Sequence, residues 1–208
     1  MAGLRRWWNA RRHRDGEWGE LFAPAHGDEV VSLDLETTGL DPRSDHILSI
    51  AAVPVHAGRV WLSRRFERSV RAERDFDIDS IRHHRITPAE SAGGESVTRA
   101  VEELLRWLGN RPLLGYNLDF DLRMLQPHVR RIAGFALPNR GIELAGAYQD
   151  VLLQRDPHAQ PDLRFEAICQ ALGVPLSGRH TALGDATAVA VCWLALARSR
   201  AHKRKTPP

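Results

Sequence analysis

VVSLDLETTGL, residues 30–40, is an apolar run that ends in two carboxylates, Asp34 and Glu36, followed at once by Thr37, Thr38, Gly39 and Leu40. Alternating β-branched and aliphatic residues favour an extended strand, in which side chains two apart point the same way. Asp34 and Glu36 therefore project together from the carboxyl end of that strand. Adjacent anions repel, and the usual resolution is a hard divalent cation, Mg²⁺ or Mn²⁺. An isolated D-x-E is commonplace on protein surfaces, so the rest of the chain decides its meaning.

Outward from this strand the apolar spacing changes period. EVVSLDLE, HILSIAAVPVHAG and RVWLSRRFERSV read as three successive strands, the last two joined at Ala57-Gly58 by a hairpin-like turn. Thr87-Pro88 opens a short helical turn, and residues 96–108 place Val97, Val101, Leu104, Leu105 and Leu108 on one helical stripe. RPLLGYN is a buried strand and residues 118–133 a long helix. Residues 142–153 fit strand or helix. Residues 163–172 form a helix stopped by Gly173 and Pro175, and 181–197 are the last one. A short helix is expected over residues 4–10. Three strands followed by strand–helix alternation imply an α/β protein, a mixed sheet with helices on its faces.

Two further acidic sites follow buried elements. GYNLDFDLRML sets Asp119 and Asp121 just after an apolar strand, and RHTALGDATAVAVCWLAL sets His180 and Asp185 at the head of an apolar helix. Asp185 lies among Leu183, Ala186, Val189, Ala190 and Trp193, where an unpaired charge is costly. Five positions on a helix turn through about 140°, so His180 is expected on the preceding loop, pointing back over the same site.

The 208 residues, 43% hydrophobic and 26% charged, suffice for one domain with a full core. No stretch reaches the ~20 apolar residues of a membrane span, and residues 182–197 carry Asp185, so no membrane association is expected. The start adds Arg and His where a signal peptide would turn apolar. Cys169 and Cys192 lack metal-ligand spacing and read as buried thiols of a reducing cytoplasm. Net charge is +3, but both ends are strongly basic, as suits a protein that approaches phosphates and equally suits solvated tails.

The acidic set resembles the DEDDh family of 3′-to-5′ exonucleases, which includes the epsilon subunit of DNA polymerase III, RNase T and oligoribonuclease. The likeness spans about residues 29–197 and rests on DLETTGL, on NLDFD with Asn117, Phe120 and Asp121, and on HTALGD with His180 and Asp185. HHRITPAE is similar to the family's His-Gly-Ile-Thr element, with His84, Ile86 and Thr87 matching and Arg85 in place of glycine.

The resemblance implies a ribonuclease H-like fold, a mixed five-stranded sheet flanked by helices on both faces. It implies two Mg²⁺ or Mn²⁺ ions held by Asp34, Glu36, Asp121 and Asp185, with His180 taking the proton of the attacking water. His84, Thr37, Thr38, Gly39 and Leu40 would meet the terminal nucleotide, and Asn117 is a candidate phosphate donor. The division expected is a basic, Trp-rich extension (1–27), the exonuclease domain (28–198) and a basic tail (199–208). Single-stranded DNA 3′ ends are the favoured substrate. A DNA polymerase is the partner the family suggests, but residues 199–208 leave no room for a long polymerase-binding tail, so a free-standing nuclease is expected. An exoribonuclease of the same fold and a non-catalytic binding module are the alternatives.

Overall fold

The computed structural model describes residues 11–13, 15–24, 27–74, 76, 81 and 85–203. The helix expected over residues 4–10, together with His84, lies outside the described residues. The strands are β1 (Val30–Thr37), β2 (Ile47–His56), β3 (Arg59–Val60), β4 (Phe66–Ser69), β5 (Leu113–Gly115) and β6 (Gly141–Glu143). The helices are α1 (Pro88–Ala92), α2 (Val97–Leu108), α3 (Leu118–Ala133), α4 (Leu144–Leu153), α5 (Phe165–Leu172) and α6 (Ala182–Lys203).

The strands form one mixed sheet in the order β3-β2-β1-β5-β6, with β4 also paired to β2. β1 runs antiparallel to β2, with Asp34 opposite Ala51 and Glu36 opposite Ser49, and parallel to β5. Its alternation feeds two cores. Val31, Leu33 and Leu35 enter the one shared with α2 and α3, and Val30 enters the one built with α4, α5 and α6. By the same alternation Asp34 and Glu36 belong to the α6 side of the sheet.

The α/β architecture with helices on both faces is as expected, with six strands among the described residues where five are expected. The run from Arg59 to Val70 does not stay extended: a 3₁₀ turn at Leu62–Arg64 divides it, and the two halves pair successively along β2. Trp61 fixes the break by donating its indole N–H to the carbonyl of His56, 3.3 Å away. The ambiguous 142–153 segment is both things in turn, a short strand parallel to β5 and then α4.

Local chemistry sets the helix ends. Thr87 and Glu90 form a reciprocal capping box on α1, with Pro88 in its first turn, and Ser96 caps α2. α2 buries the predicted stripe of Val97, Val101, Leu104, Leu105 and Leu108. The described part of the N-terminal segment is docked on this side of the protein: Trp18 and Leu21 join the core and Arg106 lies over the Trp18 ring at 5.4 Å.

α6 packs against β1 and β2. Its stretch Ala182–Ser199 is long and apolar enough, by length and composition, to cross a bilayer. Here Ala186, Val189, Ala190, Cys192 and Leu196 are buried in the core. The Cys169 and Cys192 sulfurs are 3.6 Å apart as free thiols, and burial pushes both thiol pKa values up.

Candidate active site

Three structural elements deliver carboxylates to the end of β1. Asp34 and Glu36 come from the strand and Asp185 from the first turn of α6, and one oxygen of each lies within 4.8 Å of the others. Asp121 arrives from the opposite face of the sheet. It is buried in the first turn of α3, and its Oδ1 accepts a hydrogen bond from the Leu35 N–H at 3.1 Å, on the backbone between the two strand acids. Asp119 turns away. Its side chain is 82% exposed and pairs with Arg123 at 3.2 Å.

Crowded carboxylates with little solvent and few counter-charges resist ionisation. Burial pushes Asp34 well above the usual carboxylate range, and Asp121, Asp185 and Glu36 push it further while Arg179 opposes them. Glu36 rises to about 7, from burial first and the Asp185 charge second. Burial also raises Asp121, against the hydrogen bond from Leu35 and with Glu143 and Glu36 adding to the rise.

The loops that frame these acids have their own local reasons. Thr38 Oγ donates to Asp45 at 3.1 Å and accepts from the His46 N–H at 2.9 Å, while Thr37 Oγ donates to the carbonyl of Gly39 at 2.8 Å. Gly39 suits this turn, since a Cβ there would stand 2.6 Å from the Asp45 carboxylate and displace the side chain that Thr38 holds. The turn so formed presents Leu40 to solvent, 81% exposed.

His180 lies on the turn before α6, as its spacing predicts, exposed and with φ of 63°. Its N–H donates to Asp185 Oδ2 at 3.3 Å. The turn is held against α6 by glycine: a Cβ on Gly184 would stand 2.0 Å from the Gly178 carbonyl oxygen. Asn117 is exposed, with left-handed φ of 58°, and its side chain makes no cap bond to α3.

Two residues near the acids carry no motif of their own. Glu143, at the end of β6, accepts from the N–H groups of Asn117 and Leu118 at 3.0 and 2.9 Å and so caps α3 from another strand. Arg179 donates to Asp185 Oδ2 at 2.7 Å and to Glu166 Oε1 at 2.5 Å. The only trace of them in the sequence is an acid after an apolar dipeptide and a cation beside His180.

The donor set suits a hard divalent cation. It consists of carboxylate oxygens alone, and Asp185 Oδ1 is buried with no hydrogen-bond partner among the described residues.

Residues 31–191 match the exonuclease family model of RNase T. The DNA polymerase III epsilon subunit of Rickettsia felis is 28% identical over 173 residues, covering 82% of this chain and 74% of that protein. An epsilon-like protein of Rhodobacter capsulatus is 29% identical over 186 residues, 88% of this chain and 26% of that one. Escherichia coli exonuclease I, solved with a dA16 oligonucleotide, superposes over 84% of this chain with a TM-score of 0.69 at 18% identity, a likeness of fold. This chain spans 42% of that structure's length.

Proposed function

Since this chain belongs to the RNase T exonuclease family, we propose that it is a metal-dependent 3′-to-5′ exonuclease releasing nucleoside 5′-monophosphates from single-stranded DNA ends. The observation that carries this reading is the meeting of Asp34, Glu36 and Asp185 within 4.8 Å, with Asp121 bonded to the same strand end. These four residues would hold Mg²⁺ or Mn²⁺, two ions in the family's manner. Bound cations lower the pKa of water and neutralise charge developing at phosphorus.

The chain's own residues supply the remainder. His180, exposed on its turn, takes the proton from the attacking water as general base. Leu40, projecting into solvent from the turn that follows the strand acids, offers an apolar contact to the face or edge of an unpaired terminal base. That favours a single strand, whose last base is free to reach it. Gly39 lets backbone approach the sugar. Thr37 and Thr38 shape the turn through hydroxyl bonds, so their contribution to substrate is mainly through backbone. Asn117 keeps its side-chain amide for a phosphate, since its backbone N–H is the group engaged by Glu143.

The test is incubation with 5′-labelled single-stranded DNA, duplex DNA and RNA in Mg²⁺, Mn²⁺ or chelator. A ladder shortening from the 3′ end of single-stranded DNA, abolished by chelator, is the expected result. Shortening from the 5′ end, or activity undiminished in chelator, overturns the proposal, and a clear preference for RNA moves the substrate to the exoribonuclease class.

A further inference from the structure

We propose that Arg179 is a positioning residue of this site, a built-in counter-cation that occupies one oxygen of Asp185 and leaves the other to a divalent ion. The inference rests on the exonuclease reading above and adds the control of its cation site. Arg179 is held from three directions. One terminal nitrogen donates to Asp185 Oδ2 at 2.7 Å, the other to Glu166 Oε1 at 2.5 Å, and the guanidinium lies 4.9 Å over the Phe165 ring. Phe165 in turn packs against Tyr116 at 4.9 Å, which ties the arrangement to the end of β5.

The two oxygens of Asp185 are consequently unequal. Oδ2 accepts from Arg179 and from the backbone N–H of His180, whereas Oδ1 is buried without a donor among the described residues. Two donors converging on one oxygen, with Arg179 itself anchored on Glu166, fix the direction in which the other oxygen faces. The same contact places a permanent positive charge next to Asp34, Glu36 and Asp185, since arginine stays protonated at any working pH. Arg179 thus steadies the metal-free protein by offsetting carboxylate repulsion, and it repels an incoming cation. It exchanges tight metal binding for a fixed geometry, with the His180 turn attached to the same carboxylate oxygen.

The experiment compares wild type with Arg179→Gln, which keeps a hydrogen-bond donor and loses the charge, and Arg179→Lys, which keeps the charge and loses the fork. Mn²⁺ binding is measured by calorimetry without nucleic acid, melting temperature in chelator and in Mn²⁺, and kcat and KM on single-stranded DNA. For Arg179→Gln we expect a lower metal-free melting temperature, Mn²⁺ affinity about tenfold tighter, a larger rise in melting temperature with Mn²⁺, and reduced kcat at unchanged KM. Arg179→Lys should keep metal affinity within about twofold of wild type while kcat still falls.

Weaker or unchanged Mn²⁺ affinity in Arg179→Gln overturns the proposal, as does identical metal affinity of the Gln and Lys variants. Should Arg179→Gln not fold in chelator, recovery of its native melt on adding Mn²⁺ supports the proposal and failure to recover overturns it. The binding and melting measurements need no substrate. A protein that shows this metal pattern and cleaves no nucleic acid therefore sinks the exonuclease reading alone. Normal cleavage with Mn²⁺ affinity untouched sinks the role of Arg179 alone.

Discussion

Glu36→Gln should make the metal-free protein more stable at pH 8 and leave it unchanged near pH 4.5. Glu36 titrates at about 7 in the folded protein against an ordinary 4.5, because burial and Asp185 disfavour its charge. A carboxyl raised in this way binds its proton more tightly when folded than when unfolded. Its contribution is thus fully present below pH 4.5 and is lost progressively as pH rises through about 7. At ~1.4 kcal/mol per decade the full displacement is roughly 3 kcal/mol, and solvent screening of a half-buried side chain reduces it to about 1.5 kcal/mol. For a domain of this size that is a melting-temperature gap of roughly 3–6 °C. Free Mn²⁺ at a hundred times its dissociation constant adds about 2.7 kcal/mol to the wild type, while a variant whose affinity falls about a hundredfold with the lost ligand gains only about 0.4 kcal/mol, a difference larger than the gap, so the order of the two proteins should reverse. The assay is a thermal melt of both proteins in chelator from pH 4.5 to 8.5, repeated in millimolar Mn²⁺. A gap that does not change with pH, or a wild type that is the more stable at pH 8 in chelator, would refute the account of the acids as mutually repelling.

His180→Ala should lower kcat by about 10²- to 10⁴-fold, the range for loss of a general base, with Mn²⁺ affinity by calorimetry little changed; lost metal binding would contradict the assignment. Asp121→Asn should abolish hydrolysis of labelled DNA while Asp119→Asn keeps most of it, since only Asp121 is buried against β1, and the reverse outcome would place the site one helical face away. Gly184→Ala drives a methyl to 2.0 Å from the Gly178 carbonyl oxygen, so it should cost about 2 kcal/mol in a thermal melt and reduce kcat together, because the turn that moves carries Arg179 and His180. No change in either would mean that the turn is not packed against α6.

How much of this was legible in the sequence depended on whether one element or several did the work. Asp34 and Glu36 were readable because the period of a strand alone decides that they share a face. The position of His180 on the turn before α6 is readable from helix rotation, since a residue five positions from Asp185 cannot share its helical face. RVWLSRRFERSV reads as one continuous strand because nothing in it announces that Trp61 caps back onto His56; that bond depends on β2 being alongside. The 142–153 segment was ambiguous because short apolar runs have no distinguishing period, and it is parallel pairing with β5 that settles Gly141–Glu143 as strand. Glu143 and Arg179 escaped for the same reason. Each acts on a residue from another part of the chain, Glu143 on the amide groups at the head of α3 and Arg179 on Glu166 as well as Asp185, and such meetings exist only once the sheet has formed.

The hydrogen bond from Leu35 to Asp121 bears on when the acidic cluster can be complete. Synthesis lays down β1 before α3 and α3 before α6, and a domain generally folds as a unit once its parts are available. A nascent chain exposing only Asp34 and Glu36 has a strand with half a charge cluster, and adding α3 brings Asp121 but neither Asp185 nor the His180 turn. The cluster closes only when the residues of α6 have cleared the ribosome and docked on the sheet. Truncated translation products and stalled chains that stop short of α6 therefore carry no complete site. Any exonuclease activity seated at this cluster is in this way silent until α6 has been made and docked.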